Sequence, residues 1–429
     1  MSIRVVRSSG ALRGRIRVPG DKSISHRALL LNALAHGRAR VRGLLDSADV
    51  RSTATCLQAM GVDFRRDGEG VIVTGRSGRL AEPDRVLDCG NAGTTIRLLC
   101  GALAGQSGHF ILTGDESLRG RPMARVIEPL RHLGARVDGA ADGARAPLAI
   151  RGVPHLRGGR VAVPVASAQV KSALLLAGLA AESPVDIAVG ACRDHTERMF
   201  RSMGVPVEDT AVGVRMVGGR GLEAVDVDVP GDISSAAFWL VAASIVPGSA
   251  LTLEGVGVNP SRTGVLDVLK RMGADIELCD ARTVCGEPVA DIHVRSAPLR
   301  GTTIAGAEIP RLIDEIPVLA VAAALADGET IVQDASELRV KESDRIETTL
   351  AMLHALGSEG EARPDGLVLP GAASLRGGCV QSAGDHRIAM AGAVAALAAA
   401  GETRIDGADA VEVSYPGFFS TLEASSVTR

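Results

Sequence analysis

The sequence predicts an α/β fold built from repeated units, each with buried helices and a mixed sheet. Six Ala/Leu-rich segments are apolar nearly all round, which is typical of buried rather than surface helices. A Gly- or Pro-containing turn and a strand-like stretch follow each segment, and the turns recur at intervals of roughly 65 to 80 residues, the length of one supersecondary unit. The six segments are Ala28–Ala35, Ile96–Ala104, Ser172–Ala181, Ala236–Ile245, Ile316–Ala326 and Ile388–Ala400.

A second repeated pattern places a glycine between an apolar helix end and a short strand. Glycine is favoured there because it adopts the left-handed conformation that closes a helix without steric cost. The pattern therefore predicts a second, amphipathic helix in each of five units. The five glycines are Gly61, Gly134, Gly204, Gly273 and Gly357.

Six such units account for the 429 residues, a length that exceeds one ordinary domain. Two domains of three units each are expected, one over residues 20–231 and the other over residues 1–19 with 232–429. Pro-Gly punctuation near Gly20 and at Pro230-Gly231 suits the two connecting peptides. The first strand then belongs with the C-terminal half.

Composition excludes several classes of function. Lys and Arg total 47 against 50 Asp and Glu, so the formal charge is −3, and aromatic residues are only 2%. Neither a basic field nor base-stacking side chains are available for nucleic acid. No apolar run is long enough to span a bilayer. Seven scattered cysteines indicate free thiols and a cytoplasmic protein, and no histidine cluster suggests a metal site.

The first buried helix is preceded by a cation-rich segment. Lys22, Ser23 and Arg27 come directly before Ala28–Ala35, where free backbone N–H groups and the helix dipole favour a bound anion. Surface charge at a helix start is the alternative for this segment taken alone. The pattern recurs, however, at other helix openings.

Two further openings carry small and polar residues. Asp88–Arg97 contains Asn91, Gly93 and Thr94, and its glycines let a ligand approach the backbone. It matches neither a Walker loop nor a dinucleotide fingerprint, and a simple turn is the alternative. The opening Ala166–Ser172 offers hydroxyl, amide and ammonium donors, with an ordinary N-cap serine as the alternative.

The last openings add carboxylates and more cations. Asp314 and Glu315 precede the fifth helix, and Glu337–Arg345 alternates in charge. Helix capping and solvated ion pairs are the alternatives. Gly384–Arg387 and Arg119–Pro122 supply further arginines. So many cations at helix openings, in a mildly acidic protein, indicate a small ligand with several phosphate or carboxylate groups.

These motifs resemble those of the 5-enolpyruvylshikimate-3-phosphate synthase family. The resemblance runs in order over essentially the whole chain. It implies two domains, each an inside-out α/β barrel of three βαβαββ units (the enolpyruvyl transferase fold), with the active site in the cleft between them. The motifs that carry it are Lys22–Arg27, Asn91–Arg97, Arg119–Pro122, Arg339–Arg345 and Gly384–Arg387.

The resemblance also implies the reaction: transfer of the enolpyruvyl group of phosphoenolpyruvate to the 5-hydroxyl of 3-phosphoshikimate, with release of phosphate. No cofactor or metal is implied, and a monomer is expected. The implied 3-phosphoshikimate ligands are Lys22, Ser23, Arg27, Ser167, Ala168, Gln169, Arg193, Asp314 and Lys341. The implied phosphoenolpyruvate ligands are Lys22, Asn91, Gly93, Thr94, Arg121, Gln169, Arg345 and Arg387.

The chemistry needs a base for the 5-hydroxyl and an acid for the enol methylene carbon. Two carboxylates in differently charged surroundings can divide these tasks. On the resemblance, Asp314 is expected to be the base and Glu342 the acid. Lys22 would assist proton transfer, with His386 nearby.

Some residues depart from one branch of the family. Ala168 stands where some members have serine, Cys192–His195 replaces a Ser-Lys-Pro-Tyr stretch, and Val413 replaces a lysine. Together with the motifs Ser-Ala-Gln-Val-Lys at 167–171 and Arg-Asp-His-Thr-Glu at 193–197, these differences indicate the second bacterial branch. Gly93 is the glycine that the family associates with room for the herbicide glyphosate, so ordinary sensitivity is expected.

Two other functions fit parts of the pattern. The sister transferase acting on UDP-N-acetylglucosamine shares the fold but carries a reactive cysteine in the loop that matches Gly114–Gly120, and this loop has none. A non-catalytic phosphometabolite-binding protein would need the cations but neither Asp314 nor Glu342.

Overall fold

The computed structural model describes residues 2–8 and 10–425. Its contacts divide the chain into two compact units. The inserted unit comprises Gly20–Val229 together with Thr283–Glu287. The terminal unit comprises the N-terminal segment up to Pro19, Pro230–Arg282, and the chain from Pro288 onward. The short excursion of Thr283–Glu287 into the inserted unit has no signal in the sequence.

Each Ala/Leu-rich segment of the sequence lies mostly within a helix. In chain order the helices are α1 (Lys22–Leu34), α2 (Ala48–Ala59), α3 (Gly93–Ala104), α4 (Glu116–Gly120), α5 (Ala124–His132), α6 (Ala168–Gly178), α7 (His195–Ser202), α8 (Ile233–Ile245), α9 (Gly264–Arg271), α10 (Ile309–Leu312), α11 (Ile316–Leu325), α12 (Arg345–Ala355), α13 (His386–Ala398) and α14 (Phe418–Ser425).

The strands are short, and most have five residues or fewer. In chain order they are β1 (Ile3–Arg7), β2 (Arg13–Ile16), β3 (Arg38–Arg42), β4 (Asp63–Asp67), β5 (Gly70–Thr74), β6 (Leu87–Asp88), β7 (His109–Thr113), β8 (Arg136–Ala140), β9 (Arg145–Arg151), β10 (Gly159–Val163), β11 (Val185–Val189), β12 (Val207–Thr210), β13 (Gly213–Met216), β14 (Val227–Asp228), β15 (Ala250–Gly257), β16 (Asp275–Val284), β17 (Glu287–Arg295), β18 (Thr303–Ile304), β19 (Thr330–Val332), β20 (Glu361–Arg363), β21 (Gly366–Leu369), β22 (Cys379–Gln381) and β23 (Glu402–Asp406).

The strands form similar mixed sheets in both units. The inserted unit has the orders β14-β3-β5-β4, β6-β7-β9-β8 and β10-β11-β13-β12, and the terminal unit has β16-β17-β15-β2, β18-β19-β21-β20 and β1-β23-β22. In the second sheet, for example, β6 and β7 are parallel while β7, β9 and β8 are antiparallel. Strand β1 pairs with β23 near the other end of the chain.

One repeat shows how the sequence pattern becomes structure. The segments β6, α3, β7, α5, β8 and β9 form a βαβαββ unit with the short helix α4 inserted after β7, and β10, α6, β11, α7, β12 and β13 repeat the unit without that insertion. The glycines predicted to close the second helices all have positive φ, between 83° at Gly61 and 100° at Gly273. The prediction of repeated α/β units is confirmed.

The apolar helices lie at the centre of each unit. Helices α8, α11 and α13 pack together in the terminal unit, and in the inserted unit α3 packs closely on α6 and also contacts α1. Every residue of α11 from Ile316 to Ala324 is buried, as a helix that is apolar all round requires. The sheets cover these helices, alternating buried and exposed residues, for example along β3 and β9. Each core is thus a helical centre under an outer layer of sheet.

Five of the six buried helices begin earlier than the sequence predicts, whereas α11 begins at Ile316 as expected. Lys22–Arg27 forms the first turns of α1 rather than a preceding segment, because the Asp21 side chain accepts a hydrogen bond from the Ile24 N–H at 2.9 Å. Asp232 and Asp385 cap α8 and α13 in the same way. Within the described residues, no helix is both long and apolar enough to cross a membrane.

Candidate active site

The inserted unit gathers its candidate residues at the starts of α1, α3 and α6. Lys22 is the first residue of α1, and its Nζ lies 3.1 Å from Asp49 Oδ2 in the first turn of α2. Both side chains are mostly buried. The ion pair therefore fixes the ammonium group beside the free N–H groups of the helix start.

Arg27 is buried one turn later on α1, with a side chain held on three sides. Its Nε donates to Thr196 Oγ1 at 2.7 Å, one terminal nitrogen to the Ser23 carbonyl at 2.9 Å, and the other to Ser172 Oγ at 2.7 Å. Burial lowers the pKa of Arg27 to about 10, although Glu197 opposes the shift. The guanidinium thus stays charged at neutral pH.

Gln169 links the starts of α6 and α3. Its Oε1 accepts from an Arg97 terminal nitrogen at 2.6 Å, and its Nε2 donates to Thr94 Oγ1 at 2.9 Å. Arg97 is buried and also reaches the Pro122 carbonyl. Gly93 is the first residue of α3 and leaves the space before these side chains open.

Arg121 lies in the segment that follows α4 and is held by Asn91. Arg121 donates to Asn91 Oδ1, and Asn91 Nδ2 donates to Asp115 Oδ2 at 2.7 Å. Asp115 also caps α4 by accepting from the Leu118 N–H at 2.8 Å. The predicted phosphoenolpyruvate ligands Asn91 and Arg121 are therefore in direct contact.

The remaining candidates of this unit surround the start of α6. Ser167 caps α6, accepting from the Val170 N–H at 3.4 Å, as the simpler interpretation of this serine expected. The Ala168 carbonyl accepts from Ser172 Oγ at 2.6 Å. Arg193 lies between β11 and α7, close enough for its charge to act on the pKa of Arg27.

In the terminal unit, Arg345 stands at the centre of three carboxylates. It begins α12, and its guanidinium contacts Asp385 at 2.8 Å, Glu342 at 2.7 Å and Asp314 at 3.2 Å. Its side chain is only 1% exposed. Burial alone would lower the pKa of Arg345, but the three carboxylates hold it above its usual range.

Asp314 is in contact with three cations of this cluster. Lys341 Nζ and Arg345 each lie 3.2 Å from its Oδ1, and Arg387 donates to its backbone carbonyl at 2.7 Å. His386 opens α13 and is buried, with Nδ1 4.0 Å from Asp385 Oδ1. The terminal unit thus brings together all its predicted residues around Asp314 and Arg345.

Several residues that hold these candidates in place could not be predicted from sequence patterns. Arg97 and Asp385 lie inside the recognised motifs, but without a signal of their own, because their partners are far away in the chain. Thr196 was part of a motif with no assigned role. The supporting residues are Asp49, Arg97, Asp115, Ser172, Thr196 and Asp385.

Chemically, the two clusters differ. The inserted unit presents a lysine, arginines and hydroxyl or amide donors at helix starts, and the terminal unit presents two carboxylates, Asp314 and Glu342, each held by a cation. Carboxylates in such settings can exchange protons with a bound substrate. In the part of the chain described, no group of three or more His, Cys, Asp or Glu side chains is arranged to hold a metal ion.

Comparison with known proteins identifies the family. A family model for EPSP synthase (3-phosphoshikimate 1-carboxyvinyltransferase) matches residues 6–422. Proteins named 3-phosphoshikimate 1-carboxyvinyltransferase from Gloeobacter violaceus and a Roseiflexus species are 58% and 55% identical over 417 residues, covering 96% of this chain and 96% of each relative.

Solved structures agree with this match. An EPSP synthase from Acinetobacter baumannii has 39% identity and a TM-score of 0.89 over 99% of this chain and 98% of its own. The enolpyruvyl transferase NikO from Streptomyces tendae, at 18% identity and a TM-score of 0.79, covers 99% of this chain and 97% of its own and shares the fold. With a family model that spans nearly the whole chain and relatives more than half identical, this chain belongs to the EPSP synthase family.

Proposed function

We propose that this chain transfers the enolpyruvyl group of phosphoenolpyruvate to the 5-hydroxyl of 3-phosphoshikimate, releasing inorganic phosphate. Family membership supports the reaction. The observation that carries the proposal is the terminal cluster, in which Arg345 holds both Asp314 and Glu342. A protein that only bound phosphometabolites would have no need of two carboxylates among its cations.

For 3-phosphoshikimate, we propose the ligands that the resemblance implies from both units. Arg27 has a planar fork suited to an anion, and Lys22 and Lys341 supply point charges. Ser23, Ser167 and other polar groups at the helix starts would complete the recognition of the sugar acid. The full proposed set is Lys22, Ser23, Arg27, Ser167, Ala168, Gln169, Arg193, Asp314 and Lys341.

For phosphoenolpyruvate, we propose a site made by arginines. Arg121 with Asn91 on the inserted unit and Arg345 with Arg387 on the terminal unit would neutralise its phosphate and carboxylate. The full proposed set is Lys22, Asn91, Gly93, Thr94, Arg121, Gln169, Arg345 and Arg387.

In the proposed mechanism, two protons move in the addition step. Asp314 takes the proton of the 5-hydroxyl, whose oxygen bonds to C2 of phosphoenolpyruvate, while Glu342 gives a proton to C3. The product is a tetrahedral ketal. Loss of a C3 proton and cleavage of the C2–O bond to phosphate then restore the double bond. Lys22 assists proton transfer, with His386 close to the reacting groups, and the surrounding cations stabilise the developing charge.

We further propose a monomer in the cytoplasm that needs no cofactor. The seven cysteines are free in the structure, which supports a reducing compartment. Light scattering coupled to size-exclusion chromatography would give the mass in solution, and a dimer would contradict this part of the proposal.

Phosphate release tests the reaction. The purified protein is given phosphoenolpyruvate with 3-phosphoshikimate, and separately with UDP-N-acetylglucosamine, each in the presence of a chelator. Release with 3-phosphoshikimate alone is expected. Release only with UDP-N-acetylglucosamine would assign the sister activity, and release with neither would overturn the proposal.

Replacing Glu342 separates an enzyme from a binding protein. Glu342→Ala is expected to lower turnover by about 10²- to 10⁴-fold, the usual contribution of a general acid, while 3-phosphoshikimate still binds. Calorimetric titration measures the binding and phosphate release the turnover. Glu361→Gln, an exposed change on β20, is the control. Undiminished turnover in Glu342→Ala would remove Glu342 from the mechanism.

A further inference from the structure

The start of α7 is more buried than its sequence suggests. His195, Thr196 and Glu197 are polar or ionisable, yet each is at most 2% exposed. They belong to the Arg-Asp-His-Thr-Glu motif, of which the proposed function uses only Arg193. Three consecutive buried polar residues are costly unless each has a partner.

Thr196 is bound to the guanidinium of Arg27. A guanidinium has five N–H donors. Arg27 uses Nε for Thr196, one terminal N–H for the Ser23 carbonyl and one for Ser172. One N–H therefore remains on each terminal nitrogen, and charged N–H donors of this kind form strong hydrogen bonds to oxyanions.

The two hydroxyl groups form a directed chain. Ser172 Oγ donates to the Ala168 carbonyl at 2.6 Å, so its own hydrogen is committed. In the 2.7 Å contact between the hydroxyls, Thr196 must therefore donate to Ser172. Both oxygens are left to accept from Arg27. This arrangement fixes the plane of the guanidinium as well as its position.

The neighbours of Thr196 hold the helix start in place. Glu197 pairs with Lys171 of α6 at 2.5 Å, and both are buried. On the other side, His195 Nδ1 lies 2.8 Å from Glu287 Oε1, again with both side chains buried. An ionised carboxylate only accepts, so Nδ1 carries the hydrogen.

Glu287 comes from a segment remote in sequence. It ends the excursion Thr283–Glu287, whose other residues also contact the inserted unit. Arg198 donates to the Gly286 carbonyl at 3.0 Å, and the Asp228 N–H donates to Cys285 Sγ at 3.4 Å. The segment is therefore fastened at several points, and Glu287 reaches His195 from a fixed backbone.

We propose that Thr196, together with Ser172, is a positioning residue for Arg27, and that Glu287 acts through His195 to hold Thr196 in place. Arg27 would then present its two remaining terminal N–H groups to 3-phosphoshikimate. The inference rests on the proposed function in that the ligand of Arg27 is taken to be 3-phosphoshikimate. Residues that do not contact the substrate would then also determine how tightly it binds.

Thr196→Val tests the proposal because it removes the hydroxyl and keeps the side-chain shape. The KM for 3-phosphoshikimate is expected to rise about 10-fold or more, as for loss of a hydrogen bond to a charged group, while the KM for phosphoenolpyruvate changes less than about 2-fold. Thr196→Ser should restore most of the affinity. Thr403→Val, another buried threonine whose hydroxyl has no hydrogen-bond partner in the described structure, is the matched control.

Glu287 is tested by two substitutions. Glu287→Gln keeps an oxygen that can accept from His195 Nδ1, whereas Glu287→Ala removes it. The alanine variant should raise the KM for 3-phosphoshikimate and the glutamine variant should stay near the wild-type value. Melting temperatures are measured for both variants, and calorimetric titration with 3-phosphoshikimate gives the affinity of the folded protein directly.

The outcomes separate the inference from the function on which it rests. A wild-type protein that neither releases phosphate nor binds 3-phosphoshikimate overturns the proposed function. An active wild type with an unchanged KM in Thr196→Val overturns only the positioning role. Equal rises in both KM values would also overturn it, because the effect would not be specific to 3-phosphoshikimate. A Thr196→Ser variant as impaired as Thr196→Val would overturn it too, because the hydroxyl would then not matter.

Discussion

Gly93 shows how one missing side chain shapes the proposed phosphoenolpyruvate site. A Cβ at this position would lie 2.9 Å from a terminal nitrogen of Arg97 and 3.2 Å from one of Arg121. Both atoms are ends of flexible side chains, so they would shift rather than block folding. The shift would disturb the Arg97 bond to Gln169 and the direction of Arg121.

We therefore expect Gly93→Ala to weaken phosphoenolpyruvate binding and leave 3-phosphoshikimate binding intact. Steady-state kinetics should show a KM for phosphoenolpyruvate raised about 3-fold or more, the effect of roughly 0.7 kcal/mol. Wild-type activity should fall with excess glyphosate, and the variant should resist it. Gly221→Ala, where a Cβ meets no atom within 4 Å, is the control. Equal glyphosate inhibition of both proteins would contradict this account.

His26 gives a prediction on pH. It is fully buried, with Nδ1 2.7 Å from Thr53 Oγ1, and burial lowers its pKa to about 3 despite the attraction of Asp49. As the pH falls, His26 binds a proton in the unfolded chain before it does so in the folded chain. The contribution of neutral His26 to the free energy of unfolding is therefore complete above about pH 6.5 and is lost as the pH falls towards 3.

The stability of the wild type should therefore decline over this range, with up to about 1.4 kcal/mol per pH unit from His26. His26→Gln should have a shallower pH dependence, measured by urea unfolding between pH 7 and pH 4. His109→Gln, at an exposed histidine, should keep the wild-type slope. Parallel curves for His26→Gln and the wild type would refute the assignment.

At the scale of elements, the close approach of α3 and α6 positions part of the site. A Cβ on Gly101 of α3 would lie 2.0 Å from the carbonyl oxygen of Ala173 in α6. Only glycine lets the two backbones come so near. The same helices carry Thr94 and Gln169 at their starts, so their spacing sets the contact between these residues.

Gly101→Ala should push the two helices apart. We expect a loss of about 1–3 kcal/mol in unfolding free energy, as for overpacked cores, together with a raised KM for phosphoenolpyruvate. Chemical denaturation and steady-state kinetics measure the two effects. Gly221→Ala again serves as the control, and a variant with wild-type stability and kinetics would show that the helices adapt without cost.

The elements also show what the sequence could and could not predict. Helices α8, α11 and α13 were predictable because a segment apolar on every side has to be buried. The true starts of α1, α8 and α13 were not predictable, because they depend on the aspartate caps Asp21, Asp232 and Asp385 in residues interpreted as turns. Family motifs marked Arg345, but pattern alone could not pair it with Asp385, forty residues away, because such pairing depends on the fold.

At the scale of the molecule, the chain has two separate cores. One apolar cluster fills the terminal unit, including Trp239 and Phe418, and the other fills the inserted unit, including Phe110 and Phe200. Each is a compact unit with its own central helices. Proteins with two such cores generally depart from two-state unfolding. Calorimetry of the ligand-free protein should therefore resolve two components in the thermal transition.

The proposed ligands of 3-phosphoshikimate come from both units, Arg27 from one and Lys341 from the other. A ligand that contacts both should raise both calorimetric components, by about 2.7 kcal/mol in total at 100 times its Kd. Lys341→Ala should lower the ligand-induced stabilisation of the component that reports the terminal unit. Arg27→Ala should lower the ligand-induced stabilisation of the component that reports the inserted unit. A shift confined to the inserted unit would mean that Asp314 and Lys341 add nothing to binding. Asp314 and Lys341 would then act on phosphoenolpyruvate or on proton transfer. Their 3.2 Å contact would still let the lysine stabilise the negative charge of the carboxylate.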